Sequence, residues 1–100
     1  MIGFEMSVKI HSQKRMEFLQ VFEMSQAFDD HCLDRIRLQL FEKINETNTF
    51  LWQEEWKSEE SLTLYCKDSR FRATMGAISI LGKLIHLNRV IFEKESTDGC

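Results

Sequence analysis

The chain begins with alternating apolar and polar side chains in the segment "FEMSVKIH". A period of two places the apolar set on one face of a strand and the polar set on the other. The next segment, "SQKRMEFLQVFEMSQAF", changes to the spacing of an amphipathic helix, with Phe18, Phe22 and Phe28 on one side. We therefore predict a strand followed by a helix, with Ser12 as the helix N-cap.

The middle of the chain predicts a hairpin and then a helix in two pieces. "LDRIRLQLFEK" alternates again, with Ile36 on its apolar side and Arg35 on its polar side, and the turn residues of "INETN" separate it from "TFLWQEEW". Ser58 is a predicted N-cap, and the acidic residues after it favour the positive end of a helix. Asp68 is predicted to cap a second piece that runs from about Ser69 to Leu84, and "IHLNRVIFEKE" forms a last strand.

The order strand, helix, strand, strand, helix, strand is that of the α+β ferredoxin-like fold, a split βαβ unit. It forms a four-stranded antiparallel sheet with the helices on one face. The other face would expose apolar side chains, so we expect a second copy to cover it sheet to sheet. We predict a homodimer in which each chain has a single domain over residues 1–95 and a flexible tail over residues 96–100.

Composition and charge narrow the classes of partner. The chain has 100 residues, 43% of them apolar, and a net charge of -3, which argues against nucleic acid and anionic membrane surfaces as partners. It has no signal-peptide pattern and no run of about 20 apolar residues, so we expect no membrane association and a cytoplasmic location. Cys32, Cys66 and Cys100 are widely spaced, which suits reduced thiols, and no zinc-ligand spacing occurs. We therefore expect no metal site.

The segment "FLWQEEWKSEESLTLYCKDSRFRATMGAISIL" resembles the antibiotic biosynthesis monooxygenase (ABM) domain. Members of that family run from a strand ending in Glu-Glu-Trp, through Ser-x-Glu-x-Leu, to Ser-x-x-Phe and a helix. "KRMEFLQVF" and "RVIFEKE" extend the similarity over nearly the whole chain. The resemblance implies a dimeric α+β barrel of two ferredoxin-like subunits. It leaves several activities open, because the family includes oxygenases that oxidise quinols or anthrones without metal or flavin, haem-degrading enzymes and an isomerase.

Departures from the family pattern narrow those activities. Met75 stands where haem-degrading relatives carry a ligating His, and Tyr65 stands where they carry a Trp, which disfavours haem. Many ABM members have His at the Tyr65 position, so a proton-transfer group there has become a phenol. Trp52 and Leu62 replace an Asn and a Tyr of the anthrone-oxidising relatives, whereas Trp56 matches them. On this basis we expect no cofactor.

The resemblance also suggests the site residues. The predicted catalytic residues are Tyr65 and Trp56, and the predicted substrate-binding residues are Trp52, Trp56, Tyr65, Met75 and His86. Each tryptophan is either a pocket wall or a core residue, since burial of an aromatic ring is favourable in both places. The Tyr65 hydroxyl can orient a substrate oxygen or donate a proton, and the alternative is a core or interfacial tyrosine bonded to backbone. The alternative for His86 is a solvent-facing side chain.

The favoured function is a cofactor-independent monooxygenase that oxidises a small aromatic substrate of the quinol or anthrone type. An electron-rich phenolate can pass an electron to oxygen itself, so the protein need supply only a dry pocket, an aromatic wall and a hydrogen-bond donor. Two other classes remain open. One is a non-catalytic dimeric module that binds a small ligand, which the missing Asn, His and Tyr positions favour, and the other is a structural dimer without a cavity.

Overall fold

The computed structural model describes residues 1–27 and 34–92. Within these ranges the strands are β1 (Ile2–Ile10), β2 (Arg35–Glu42), β3 (Thr49–Trp56) and β4 (Gly82–Ile91). The helices are α1 (Arg15–Ala27), α2 (Glu59–Cys66) and α3 (Ser69–Leu81), with a 3₁₀ turn at Ser12–Lys14 before α1. Phe28, Cys32, Cys100 and the predicted tail over residues 96–100 lie outside the described residues, and the predicted domain limits stay a prediction.

The strands form one antiparallel sheet in the order β2-β3-β1-β4, which confirms the ferredoxin-like α+β fold. At its centre, Met6 of β1 lies opposite Trp52 of β3 on one side and opposite Leu87 of β4 on the other. Cross-strand partners share a face of the sheet, so the alternation of β1 continues into its neighbours. Among the described helices, none combines the length and the apolar character that a membrane crossing requires.

All three helices pack on one face of the sheet, which we call the helix-covered face. Phe18 of α1 is fully buried there, with its ring centroid 4.8 Å from that of Phe50 on β3. Leu62 of α2 and Ile78 of α3 join the same cluster. Complete burial of one such side chain stabilises a fold by about 1.5–3 kcal/mol. The strands contribute Phe4, Met6, Val8, Ile10, Phe50, Trp52 and Trp56 to this core.

Side-chain caps mark the starts of α2 and α3. Ser58 Oγ accepts a hydrogen bond from the backbone N–H of Ser61 at 3.1 Å, and Asp68 Oδ1 accepts one from the backbone N–H of Arg70 at 2.8 Å. Both predicted N-caps are confirmed. The prediction for Ser12 is wrong, because this residue begins the 3₁₀ turn and α1 begins only after that turn.

The last strand begins earlier than the sequence predicts. Helix α3 ends at Leu81 rather than near Leu84, and Gly82 already pairs with Ile10 of β1. A Cβ atom at Gly82 would lie 2.1 Å from the backbone oxygen of Lys9, so the close approach of β4 to β1 requires glycine here. Pairing with β1 therefore overrides the helical pattern of the three residues after Leu81.

Strand β2 departs from its predicted alternation at its first residues. A register shift between Arg35 and Arg37 gives the pattern of a β-bulge, after which the remaining β2 residues pair regularly with β3. As a result the Arg35 side chain is buried, whereas Ile36 is 46% exposed. The predicted assignment of these two residues is wrong, because the bulge reverses their faces relative to the rest of the strand.

The opposite face of the sheet, which we call the open face, is mostly polar. Ser7 of β1 lies opposite Leu51 of β3 and His86 of β4 on this face. Leu51 in turn lies opposite Phe41 of β2, which is 48% exposed. The same register places polar side chains around this apolar pair, namely Glu5, Lys9, Arg37, Gln39, Gln53, Glu55 and Asn88. The apolar patch on this face is therefore narrower than the sequence suggested, since both tryptophans lie on the helix-covered face.

More apolar surface is exposed on β4, which is an edge strand of the described sheet. Leu84, Ile85 and Leu87 are 36%, 48% and 42% exposed. A long apolar edge strand presents backbone N–H and C=O groups that can template pairing with another chain. Strand β4 is therefore the part of the described sheet with the most apolar surface available for contact with another chain.

Candidate functional site

Strand β3 ends with two tryptophans that flank one carboxyl group. Its period of two places Trp52, Glu54 and Trp56 on the helix-covered face, and all three are buried. The indole Nε1–H of Trp52 donates to Glu54 Oε2 at 2.9 Å, and that of Trp56 donates to Glu54 Oε1 at 3.2 Å. A single carboxyl group therefore fixes the orientation of both indole rings.

Arg35 brings a positive charge to the same carboxyl group. Its Nη1 lies 3.4 Å from Glu54 Oε1, and both side chains are only 1% exposed. Its Nη2 donates to the backbone carbonyl of Ser25, which ties β2 to α1. An isolated ion costs several kcal/mol to bury, so the guanidinium and the carboxyl group depend on each other. Every buried polar side-chain atom in the described ranges has a hydrogen-bond partner.

Burial raises the pKa of the Glu54 carboxyl group. The hydrogen bonds from the two indoles and the attraction of Arg35 lower this pKa, but the loss of water around the carboxylate outweighs them. A carboxyl group with a raised pKa holds its proton more readily than one in water. Such perturbed groups cluster at functional sites, which makes the surroundings of Glu54 the candidate site of this chain.

Tyr65 of α2 stacks on the outer tryptophan. The ring centroids of Trp56 and Tyr65 are 4.6 Å apart and their planes are inclined by 30°. Phe71 of α3 meets the edge of Tyr65 at 5.4 Å and also contacts Phe4 of β1 at 5.8 Å. The break between α2 and α3 therefore brings a phenol and a phenyl ring onto the end of β3. These four rings form an aromatic wall with one phenol hydroxyl.

Trp52 packs more deeply than Trp56. Its ring has no exposed surface and meets the edge of Phe22 of α1 at 5.1 Å. Phe18 approaches it from the same helix at 6.2 Å. This environment is that of a core residue whose indole N–H is held by Glu54.

The remaining predicted residues lie on different sides of the sheet. Met75 is half-buried on α3 and packs against the core beneath the helices. His86 lies opposite Ser7 on the open face, and its Nδ1 is 3.3 Å from the Asn88 amide nitrogen. The structure therefore brings Trp52, Trp56, Tyr65 and Met75 to the helix-covered face and places His86 on the other. Their roles in binding and catalysis stay predictions.

The sequence is similar to that of one named bacterial protein. No protein-family model matches the sequence. The Bacillus subtilis (strain 168) protein named "Putative monooxygenase YcnE" is 30% identical over 76 residues, which cover 72% of this chain and 76% of that protein.

Solved structures share the fold at lower identity. SnoaB, a cofactor-independent oxygenase from Streptomyces nogalater, superposes with a TM-score of 0.80 at 15% identity, covering 97% of each chain. A structure described as an antibiotic biosynthesis monooxygenase gives a TM-score of 0.75 at 15% identity, covering 94% of this chain and 98% of the other. The chain belongs to the antibiotic biosynthesis monooxygenase family.

Two members of the site in this ABM chain are absent from the predicted set. These two residues are Glu54 and Arg35, which form the polar centre of the cluster. For Glu54 the sequence did contain a signal that could have been used. The spacing Trp-x-Glu-x-Trp places the carboxyl group between two indoles on one face of a strand. No comparable signal existed for Arg35, because only the bulge turns it inward. Glu55 points to the open face, where its Oε2 lies 3.6 Å from Arg37 Nε.

The described residues offer neither an activated thiol nor a cluster of metal ligands. Burial raises the pKa of the half-buried Cys66 thiol, which disfavours the reactive thiolate form. Among the described His, Cys, Asp and Glu residues, no three come together as a metal-binding group. The chemistry that the described site offers is therefore aromatic packing, a phenol and a buried carboxyl group.

Proposed function

We propose that the chain is a monooxygenase that oxidises a small aromatic substrate of the quinol or anthrone type without metal or flavin. The observation that carries this proposal is the stack of Trp56 and Tyr65 beside the buried carboxyl group of Glu54. Together they offer a flat wall for a planar ring and a phenol hydroxyl for its oxygen. The shared fold with a cofactor-independent oxygenase supports chemistry in which the substrate itself supplies the electrons.

The reaction balances without an external reductant. Conversion of an anthrone CH₂ group to a carbonyl removes four electrons from the substrate. One atom of O₂ enters the product and the other leaves as water, which consumes those four electrons. The protein must therefore favour the electron-rich enolate, exclude water and stabilise negative charge on the substrate oxygen. In this proposal the Tyr65 hydroxyl donates a hydrogen bond to that oxygen, and Trp56 supports the ring.

Glu54 and Arg35 act through the indoles in this proposal. Only 1% of each side chain is exposed, and their described contacts include Trp52, Trp56 and the α1 backbone. They are positioning residues that hold the aromatic wall at a fixed angle, and Trp52 belongs to the same support. Met75 would complete the wall from α3.

We further propose that the working unit is a homodimer. The Phe41–Leu51 pair exposes apolar surface on the open face, and a second copy offers the same surface in return. His86 lies on the open face and would therefore act at the subunit interface. A stable interface of this kind buries about 1,200–2,000 Å² in total, and sedimentation at micromolar concentration measures the state directly.

The proposed activity is tested with chelator-treated protein and an anthrone under ¹⁸O₂. We expect the product carbonyl to carry one labelled oxygen and to form faster than in buffer. Binding is followed without oxygen by quenching of tryptophan fluorescence. Labelled product at the rate of buffer alone across a panel of anthrones and quinols would contradict the proposal.

One feature supports the non-catalytic binding module as the second candidate. Trp56 and Tyr65 are 3% and 7% exposed, so each ring face is largely occupied by another side chain. A ligand must therefore displace a side chain to reach these rings, and it can bind in this way without being turned over. Fluorescence quenching by the anthrone under anaerobic conditions, with no product after oxygen is admitted, would favour the module over the monooxygenase.

A further inference from the structure

A cleft lies at the opposite end of the sheet from the aromatic wall. It has a volume of about 420 Å³ and is bordered by polar side chains from the end of β1, the β2–β3 turn and the start of β4. Those side chains are Lys9, His11, Ser12, Thr47, Asn48 and Lys83. Lys9 of β1 pairs with Thr49, the first residue of β3. Trp56 ends β3 seven residues after Thr49. At about 3.3 Å per residue, the two sites are roughly 23 Å apart.

Two lysines of neighbouring strands line this cleft. Lys9 of β1 and Lys83 of β4 are direct partners in the antiparallel register, so their side chains share one face of the sheet. Like charges placed opposite each other in this way destabilise a sheet. Neither lysine forms an ion pair within the described part of the chain. The arrangement is also unexpected from a chain whose net charge is -3.

Two carboxyl groups close in sequence to Thr47 and Asn48 make contacts of their own. Glu42 is held by the guanidinium of Arg15 and by the backbone N–H of Asn48. Glu46 accepts a hydrogen bond from the hydroxyl of Thr49 at 3.3 Å. Neither carboxylate is within ion-pair distance of Lys9 or Lys83, so the charge of the two lysines is not balanced by the described residues.

Hydrogen-bond donors complete the cleft. The hydroxyls of Ser12 and Thr47 make no hydrogen bond to the described residues, and both face solvent at the cleft rim. Asn48 adopts φ 66°, and Arg15 binds its side-chain oxygen at 3.0 Å. That bond leaves the Asn48 amide nitrogen as a further donor. Two ammonium groups with three neutral donors match the oxygens of a phosphate or carboxylate group.

We propose that this cleft binds a small organic anion through its phosphate or carboxylate group. An anion between Lys9 and Lys83 removes their mutual repulsion and also accepts hydrogen bonds from Ser12, Thr47 and Asn48. The volume of about 420 Å³ lies within the range of small-molecule sites. The proposal is independent of the monooxygenase reaction, because none of these residues belongs to the aromatic wall.

The test is a titration of the full chain at constant ionic strength. Inorganic phosphate, phenyl phosphate and succinate are added in turn, with chloride as the reference anion, and amide chemical shifts are followed by NMR. We expect saturable shifts of the Lys9, Ser12, Thr47 and Lys83 amides. A response to both phosphates but not to succinate identifies phosphate as the ligand group, and the converse identifies carboxylate.

Variants separate a site from general attraction of anions. Lys9→Gln/Lys83→Gln should weaken binding at least tenfold, whereas Lys57→Gln, an exposed lysine at the other end of β3, should leave it unchanged. The anion should raise the Tm of the wild type and not that of the double variant. Equal weakening by Lys57→Gln, or shifts no larger than those with chloride, would overturn the proposal. Both lysines are exposed, so loss of the fold in the double variant is not expected.

Discussion

The two ends of the sheet differ in how their charged side chains are buried and paired. At the Trp56 end, Arg35 and Glu54 are buried together, and each polar atom has a partner. At the Lys9 end, two like charges lie side by side on the surface of the single chain, without a described counter-ion. A buried charge costs several kcal/mol unless it is paired, whereas water and salt screen an exposed one. Only the exposed end can therefore leave its charge available to a ligand, and only the buried end can hold aromatic rings rigidly.

The largest expected effect comes from breaking the buried pair. Arg35→Met keeps the length of the side chain but removes the cation beside Glu54. An unpaired buried charge costs about 3–5 kcal/mol, so we expect a loss of that order in the free energy of unfolding, measured with urea. Adding Glu54→Gln should recover part of this loss, since the double variant no longer buries a lone charge.

Arg37 provides the matched control for that substitution. It lies two residues further along β2, is 60% exposed and approaches Glu55 at 3.6 Å. Exposed ion pairs contribute about 0–1 kcal/mol, so Arg37→Met should change stability by less than about 1 kcal/mol. If both variants lost the same stability, the contrast between a buried and an exposed charge would not hold for this sheet.

The next largest effect concerns activity rather than stability. Tyr65→Phe removes one hydroxyl and keeps the ring that stacks on Trp56. Loss of a transition-state hydrogen bond should lower kcat by roughly 10 to 1,000 fold while substrate binding changes little. Steady-state anthrone oxidation measures the kcat, and anaerobic fluorescence quenching measures the binding. Thr63→Val, on the α2 surface beside Arg89, serves as the control for lost polarity. Unchanged turnover in Tyr65→Phe would remove this residue from the proposed reaction.

A smaller effect follows from the raised pKa of Glu54. The unfolded chain releases this proton near pH 4.5, whereas the folded chain retains it to a higher pH. The wild type should therefore lose stability relative to Glu54→Gln as the pH rises from 4.5 through the folded pKa. Each tenfold difference in proton affinity between the folded and unfolded chains corresponds to about 1.4 kcal/mol. Urea midpoints of both proteins at several pH values on either side of this window test the sign, and a difference that grows in the other direction would contradict it.

Local patterns predicted most of the fold because they act over a few residues. The alternation in β1, the caps at Ser58 and Asp68 and the order of elements all rest on neighbours in sequence. The end of α3 could not be predicted in this way. The pairing of Gly82 with Ile10 is a tertiary contact, and it overrides a helical pattern.

The candidate site was predictable only in part for the same reason. Trp52, Trp56 and Tyr65 were found through a family motif, and the structure brings all three to the helix-covered face. Arg35 was missed because a single bulge decides whether an arginine at the start of a strand faces water or the core. The Lys9 end was missed because a cross-strand pair depends on register, which alternation alone does not fix.

The smallest expected effect concerns the half-buried pair of Arg15 and Glu42 beside the cleft. The Arg15 guanidinium and the Asn48 backbone N–H lower the pKa of Glu42 to about 2. Because the folded pKa lies below the unfolded one, the stabilisation by Glu42 is complete above about pH 4.5 and is lost as the pH falls toward 2. The advantage of the wild type over Glu42→Gln in urea should therefore shrink across this window. A constant difference between wild type and Glu42→Gln from neutral pH down to about pH 2 would mean that Arg15 does not hold the carboxylate in solution.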